Sequence, residues 1–309
     1  MNLKIIKHNA QYMKSSWLLS MSGISSTMIL FWYLIQCHNI FYVPILSLLF
    51  VRIFIIFHDM CHYNYFPSNT LNYIGSYILG MITLTGTCDW IETHTLHHND
   101  SNKLDKEQYA QSAYLTTEQY GTLGLSDKIR YFLFYVGYFT LSPSYYFLIY
   151  LKKTTMEIIS VIAYLYTIYY VFNMRQIIYI ALSYILSSII GFKLFHAQHT
   201  FDGVYKKSSD DWNHIDNGLY GASYLIIPKW LNFLTFFTYN IEYHHIHHMN
   251  SKIPCYYLGI CHHEGGNLFD NVKKVYLSDL LVSYKYYLYD VRCAKFISVI
   301  DYICSAGTQ

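Results

Sequence analysis

Between Ser15 and Val51 no charged residue interrupts the chain, and these 37 or so mostly apolar residues suffice for two bilayer crossings at roughly 20 residues each. Gln36, Cys37, His38 and Asn39 form a polar break in the middle, so the pattern predicts a transmembrane hairpin. Lys4, Lys7 and Lys14 precede it and Arg52 stands near its far end, which by the positive-inside tendency puts both ends in the cytoplasm. The basic, apolar start does not read as a cleavable signal peptide, because its apolar region is too long and no small-residue cleavage site stands out. A second uncharged pair, Ile158 to Phe172 and Ile177 to Phe192, is broken by Asn173, Met174, Arg175 and Gln176 and predicts a second hairpin.

Two further apolar stretches, Tyr73 to Cys88 and Tyr131 to Tyr150, carry Gly75, Gly80, Gly137 and Pro143. A single crossing by either would place the polar segments around it on opposite sides, so both are read as interfacial or re-entrant. Ala222 to Phe237 is read the same way. No internal repeat and no linker rich in Gly, Pro or Ser marks a boundary. The expected architecture is one domain over residues 1–309: an all-α integral membrane protein with four transmembrane helices in two hairpins, interfacial helices and a cytoplasmic, histidine-rich cap.

Composition strengthens the membrane reading. Hydrophobic residues make up 53% and charged residues 13%, the latter about half the share of a typical soluble domain. A net charge of +2, with scattered basic residues, sets nucleic-acid partners aside. The seven cysteines include no CxxC pair and are odd in number, which fits neither a disulfide framework nor a zinc ribbon. The 35 tyrosines, with abundant Ile, Asn and Lys, match the codon bias of an AT-rich genome.

Of the sixteen histidines, eight fall in three boxes just outside apolar segments. His58 and His62 lie in HDMCH, His94, His97 and His98 in HTLHH, and His244, His247 and His248 in HHIHH. Spacings of three and four place the imidazoles of each box on one helix face. Imidazole suits divalent iron, copper, zinc and nickel, whereas magnesium or calcium would need oxygen ligands. Eight nitrogens exceed the needs of one ion, so two are implied. A lone histidine beside an apolar segment is usually a satisfied polar group; three boxes at helical spacing on one expected side are a metal site. A metal transporter would instead hold its ionisable ligands near the membrane midplane.

Around these boxes the chain resembles the membrane fatty acid desaturases, most closely the acyl-lipid desaturases of the omega, Δ12-like class. The stretches NDSNKLDKEQYAQSAYLTTEQY, LFHAQHTFDGVY and MNSKIPCYYLGICHHEGGNLF carry the resemblance, which runs in order from about Phe57 to Phe269. It implies a ninth ligand, His199, and a pair of non-haem irons. One would be held by His58, His94, His98 and His247, the other by His62, His97, His199, His244 and His248. It further implies that a cis double bond is inserted into a lipid-linked acyl chain with O2 as co-substrate, in the endoplasmic reticulum or a bacterial plasma membrane. Chemistry agrees with this. An unactivated methylene pair has no acidic proton, so acid and base side chains cannot remove its hydrogens and activated oxygen is required. No flavin or dinucleotide fingerprint is present, so electrons are expected from a separate ferredoxin or cytochrome b5. Competing readings are an acyl hydroxylase or carotenoid ketolase of the same superfamily, and a membrane metal transporter. Three positions bear on the site's surroundings. Asp59 matches an acid of the family and is a candidate for orienting the ligands. Glu242 replaces a glycine, as a solvated acid or a carboxylate near the site, and His196 replaces an aromatic residue.

Overall fold

A computed structural model describes residues 2–106, 114–140 and 154–306. The helices are α1 (Asn2–Asn9), α2 (Trp17–Gln36), α3 (Val43–Cys61), α4 (Asn69–Ile82), α5 (Thr87–Asp100), α6 (Thr117–Thr122), α7 (Leu125–Thr140) and α8 (Thr155–Val171). They continue with α9 (Met174–His199), α10 (His214–Gly221), α11 (Leu234–Thr238), α12 (His244–Met249), α13 (Cys255–Gly265), α14 (Leu277–Val282) and α15 (Val299–Ala306). Helix dominates, but the all-α expectation needs correcting. Short strands β1 (Leu115–Thr116), β4 (Leu288–Asp290) and β5 (Lys295–Ile297) form one sheet in the order β1-β4-β5. A second sheet pairs β2 (Tyr224–Ile226) with β3 (Lys274–Tyr276) in parallel.

Among the described residues, three helices are long and apolar enough to cross a membrane: Trp17–Gln36, Ile40–Cys61 and Met174–His199. The remaining expected span, Ile158 to Phe172, falls in the helix Thr155–Val171, which has 17 residues. At 1.5 Å per residue it is about 25 Å long, short of a hydrocarbon core of roughly 30 Å. The two predicted turns fall where the polar breaks lie. His38 turns the chain with a φ of 49°, and Asn39 caps the turn that follows. At the second break, Asn173 and Gln176 form a capping box at the start of α9. The turns also meet, because Gln176 donates to the Ile35 carbonyl at 3.1 Å and Ser183 to the Val43 carbonyl at 3.2 Å. Ser183, the tenth residue of α9, thus lies level with the first residue of α3, and the two helices run side by side toward His58 in the last turn of α3 and His199 at the end of α9.

Other expectations are revised. Helix α9 runs on to His199, seven residues beyond the apolar segment that announced it, so its last turns carry the Gln-His pair. Arg52 is not a surface charge at a helix end. It sits in the middle of α3, buried, with Nε donating to Thr27 Oγ1 at 2.7 Å and a guanidinium N–H donating to the Phe236 carbonyl. Its guanidinium lies 3.7 Å from the Tyr239 ring centroid, so it ties α2 and α11 to α3 and says nothing of sidedness. Tyr73 to Cys88 forms most of α4, whose 14 residues are too short to span, and then the start of α5. Ala222 to Phe237 is not one helix but β2, a 3-10 turn and most of α11. Residues 141–150 of the stretch Tyr131 to Tyr150 lie outside the described residues.

Helix α10 packs against α12, which carries the third box, and Gly218 permits the approach. A Cβ there would lie 2.1 Å from Met249 Cγ and 2.9 Å from the Met249 backbone nitrogen. Backbone cannot swing aside as a flexible side chain can, so Gly218→Ala should cost about 1–3 kcal/mol by overpacking. The expected result is a lower thermal midpoint in detergent; an unchanged one would show that the two helices do not need this contact.

Candidate metal centre

Four segments deliver the nine histidines. His58 lies in the last turn of α3 and His62 at its C-cap, one turn apart on one face. Helix α5 carries His94, His97 and His98 on its buried face. The start of α5 is fixed by Glu157 of α8, which accepts from the Cys88 backbone N–H at 3.1 Å and places a carboxylate at the positive end of the helix. His199 ends α9, and α12 supplies His244, His247 and His248. All are buried except the half-buried His62.

The rings meet through their Nε2 atoms. His94 Nε2 is 2.8 Å from that of His58 and 3.1 Å from that of His98, which is itself 2.9 Å from His247 Nε2. Around the second focus, His244 Nε2 is 2.9 Å from that of His199 and 3.0 Å from that of His248. Ligand atoms of His58, His62, His94, His98 and His247 all lie within 4.8 Å of one another, and those of His97, His199 and His248 do likewise. The two groups touch, with the rings of His98 and His248 stacked at 4.5 Å. His62 therefore joins the first group, whereas the resemblance had assigned it to the second. It follows His58 by one helical turn, so its ring packs at 4.7 Å from that of His58 and 5.0 Å from that of His247.

This donor set fits shared cations better than hydrogen bonds. A neutral imidazole nitrogen carries at most one proton in one direction, yet the Nε2 atoms of His94, His98 and His244 each face two others. The buried Nε2 of His62 has no hydrogen-bond partner among the described residues. Burial, reinforced by neighbouring histidines, holds His62, His94, His98, His244, His247 and His248 well below the ordinary imidazole pKa, and pulls His97 down to about 4. The neutral ring so favoured is the metal-binding form.

Outer contacts orient some of the rings. Asp59 Oδ1 lies 3.3 Å from His58 Nδ1, while Oδ2 accepts from the Cys255 N–H at 2.6 Å, at the N-terminus of α13. His199 Nδ1 lies 3.2 Å from the Gly221 carbonyl. Trp90 stacks on His94 at 5.0 Å, one turn away in α5. The i, i+4 spacing of Trp90 and His94 was visible in the sequence; the Gly221 contact, 22 residues along the chain, had no local signal.

Glu242 is not a solvated acid. It is 2% exposed, its Oε2 accepts from Thr238 Oγ1 at 2.6 Å, its Oε1 is without a partner among the described residues, and burial raises its pKa to about 7. It lies outside both histidine groups. His196 and His245 are likewise set apart. His196 Nε2 contacts the Ser283 and Tyr286 carbonyls at 3.0 and 3.1 Å, and His245 Nε2 lies 3.0 Å from His262 Nδ1.

Comparison with known proteins now has a structure to stand on. The family model described as fatty acid desaturase matches residues 36–278. The chain belongs to the fatty acid desaturase family. It is similar to a fatty acid desaturase of Bacillus subtilis (strain 168), 31% identical over 262 residues that cover 80% of this chain and 73% of that one. Family membership implies an oxidoreductase, and the apolar helices fit a membrane protein. All nine histidines singled out in the sequence lie within the matched region, as do Asp59 and Glu242.

The buried neutral rings make acid sensitivity the direct test of the cluster. His97 has a folded-state pKa of about 4, below the unfolded value of roughly 6.5, so in acid the unfolded chain takes up protons that the folded chain refuses. Its stabilising share is complete above about pH 6.5 and is lost as pH falls toward 4. The thermal midpoint of metal-free protein should fall between about pH 7 and pH 5, and His97→Gln should flatten that fall. A midpoint that is level over this range in the unaltered chain would contradict a buried neutral cluster.

Proposed function

We propose that this protein is a membrane acyl-lipid desaturase that inserts a cis double bond into a fatty acyl chain, with two non-haem irons in the histidine groups. The observation that carries this reading is the convergence of nine imidazoles into two adjoining groups beside an apolar cleft. Iron held there would supply the oxygen activation that removal of hydrogen from an unactivated methylene pair demands. His58, His62, His94, His98 and His247 would hold one ion, and His97, His199, His244 and His248 the other. Electrons come from a separate ferredoxin or cytochrome b5. The membrane is crossed by α2, α3, α9 and, with its flanking residues, Thr155–Val171, and the histidines face the cytoplasm.

The protein's own part is to place one carbon-carbon bond at the site and to keep water away. Between α3 and α9 lies a cleft walled by Phe50, Phe54, Tyr184, Phe192 and Phe195. At its inner end Phe54 packs edge-on against Trp90 at 5.1 Å, and Trp90 in turn stacks on His94. Phe195 meets His244 at 5.8 Å. The aromatic wall of the cleft, through Phe54 and Phe195, thus backs onto one ring of each histidine group, and a hydrocarbon chain lying in the cleft would run toward the site. Ser187, Ser188 and Gly191 keep the α9 wall small.

Expression in a host that makes only saturated and monounsaturated acids, followed by fatty acid profiling with double-bond location, tests the activity. A new double bond is expected, lost on His199→Ala at matched protein level. A hydroxylated product, or metal flux without oxygen consumption, would overturn the desaturase reading. The cleft has its own test. A Cβ at Gly191 would meet open space, so Gly191→Leu should fold and retain its metal while filling the cleft. Product should fall at least roughly tenfold, the scale of one to two lost methylene contacts in an apolar pocket. Unchanged product from a normally folded Gly191→Leu would place the acyl chain elsewhere.

A further inference from the structure

Lys206 is a buried cation that the proposed chemistry does not use. Among the described residues its ammonium has no carboxylate partner; it lies 4.0 Å from the ring centroid of Tyr114 and 5.0 Å from those of Tyr289 and Phe296. Desolvation pulls its pKa well below the ordinary lysine value, and the three ring faces oppose this by favouring the cation. Tyr289 and Phe296 belong to the hairpin of β4 and β5, C-terminal to the region that the family model matches.

The ammonium donates one hydrogen bond, at 2.9 Å, to Asn102 Oδ1. Asn102 follows the second box, has a φ of 64°, and is buried. Its Nδ2 donates to the Gly221 carbonyl at 3.0 Å and to Asn217 Oδ1 at 2.8 Å. The same Gly221 carbonyl faces His199 Nδ1 at 3.2 Å. A Cβ on Gly221 would come within 2.5 Å of Asn102 Nδ2, so a side chain there would displace the Asn102 amide. Backbone bonds lock the two loops together: Lys207 N donates to the Asn102 carbonyl at 3.1 Å, and Leu104 N to the Lys207 carbonyl at 2.9 Å. On the box side, Ser101 N donates to the His97 carbonyl at 2.8 Å.

We propose that Lys206, clasped by the rings of the C-terminal hairpin, is a positioning residue that holds Asn102 and, through the Gly221 carbonyl, sets His199 in the second histidine group. The inference rests on the two-metal reading above for its consequence, but the clasp itself is a property of the metal-free chain. An apolar residue of similar length at 206 removes the donor and leaves Asn102 Oδ1 buried without its partner. Tyr289→Leu loosens the clasp from the other side, at a position far in sequence from every proposed ligand.

Two measurements on the purified full chain in detergent separate the parts. Hydrogen exchange of metal-free protein reads the clasp. Lys206→Met and Tyr289→Leu should speed exchange in peptides covering residues 101–106 and 204–208, while Lys206→Arg, which keeps a cationic donor, should restore protection. Titration with Co(II), followed by its absorbance, reads the consequence. In both loosened variants one of two sites should weaken by roughly ten- to hundredfold, as expected when an outer contact to a ligating histidine is lost, and the other should be unchanged. Unchanged exchange in both variants would overturn the clasp. Faster exchange with both Co(II) sites intact would overturn its role in setting His199. Should the unaltered chain bind fewer than two Co(II), the two-metal reading of the preceding section fails, and the exchange result alone still decides the clasp.

Discussion

Keeping nine imidazoles close together, all but one of them buried, is the constraint on which the rest of this structure depends. Unoccupied rings at such distances have little reason to stay, because their nitrogens satisfy one another poorly and each added proton would repel its neighbours. The fold answers by fixing every contributing segment from outside the cluster. Asp59 bridges His58 and the first turn of α13. Glu157 caps α5, Gly218 lets α10 close on the third box, and the Gly221 carbonyl orients His199. A centre assembled from four segments, two of them ending long helices, cannot rely on any one helix for its geometry.

The same long helices link the site to its proposed substrate. The turns before α3 and α9 adjoin, the two helices run side by side, and the cleft between them is walled by Phe54 and Phe195, which pack on Trp90 and His244. The aromatic wall from Phe54 through Trp90 to His94 does two jobs. It covers the ring of His94, keeping its protonated form unfavourable, and it stands between that ring and the apolar cleft.

What could be read from the sequence follows from the range of the interactions involved. Box spacing, hairpin turns and capping residues are local, so the three boxes and both polar breaks were legible. The last turns of α9 were not, because Lys193 and the polar residues after it end the apolar run while the helix, held by tertiary contacts, goes on. The sheets were hidden for a different reason. Strands of two or three residues show no alternation, and pairing of Leu115 with Leu288 joins segments far apart in the chain. Burial of Glu242 and Arg52 was equally invisible, since a charged letter in a sequence reads as solvated until the partners that cover it are known. His199 came from resemblance alone, because a histidine with no second one on its face has no spacing to betray it.

Aromatic side chains resolve a problem that a carboxylate would make worse. Arg52 and Lys206 are buried cations, and neither has an acidic partner among the described residues. Arg52 lies over the rings of Phe236 and Tyr239, Lys206 among Tyr114, Tyr289 and Phe296. Each such contact is worth about 0.5–2 kcal/mol, more where water is excluded. A ring face balances charge without offering an oxygen lone pair. Close to a cluster built to bind metal through nitrogen, a free carboxylate would stabilise protonated imidazole and offer itself as a competing ligand. Asp59 escapes this conflict because its two oxygens are engaged by His58 and the Cys255 N–H. Tyrosine abundance, a matter of codon bias when read as composition, thus has a use in the folded protein, where Tyr114, Tyr239 and Tyr289, with Phe236 and Phe296, let two cations be buried without an acid.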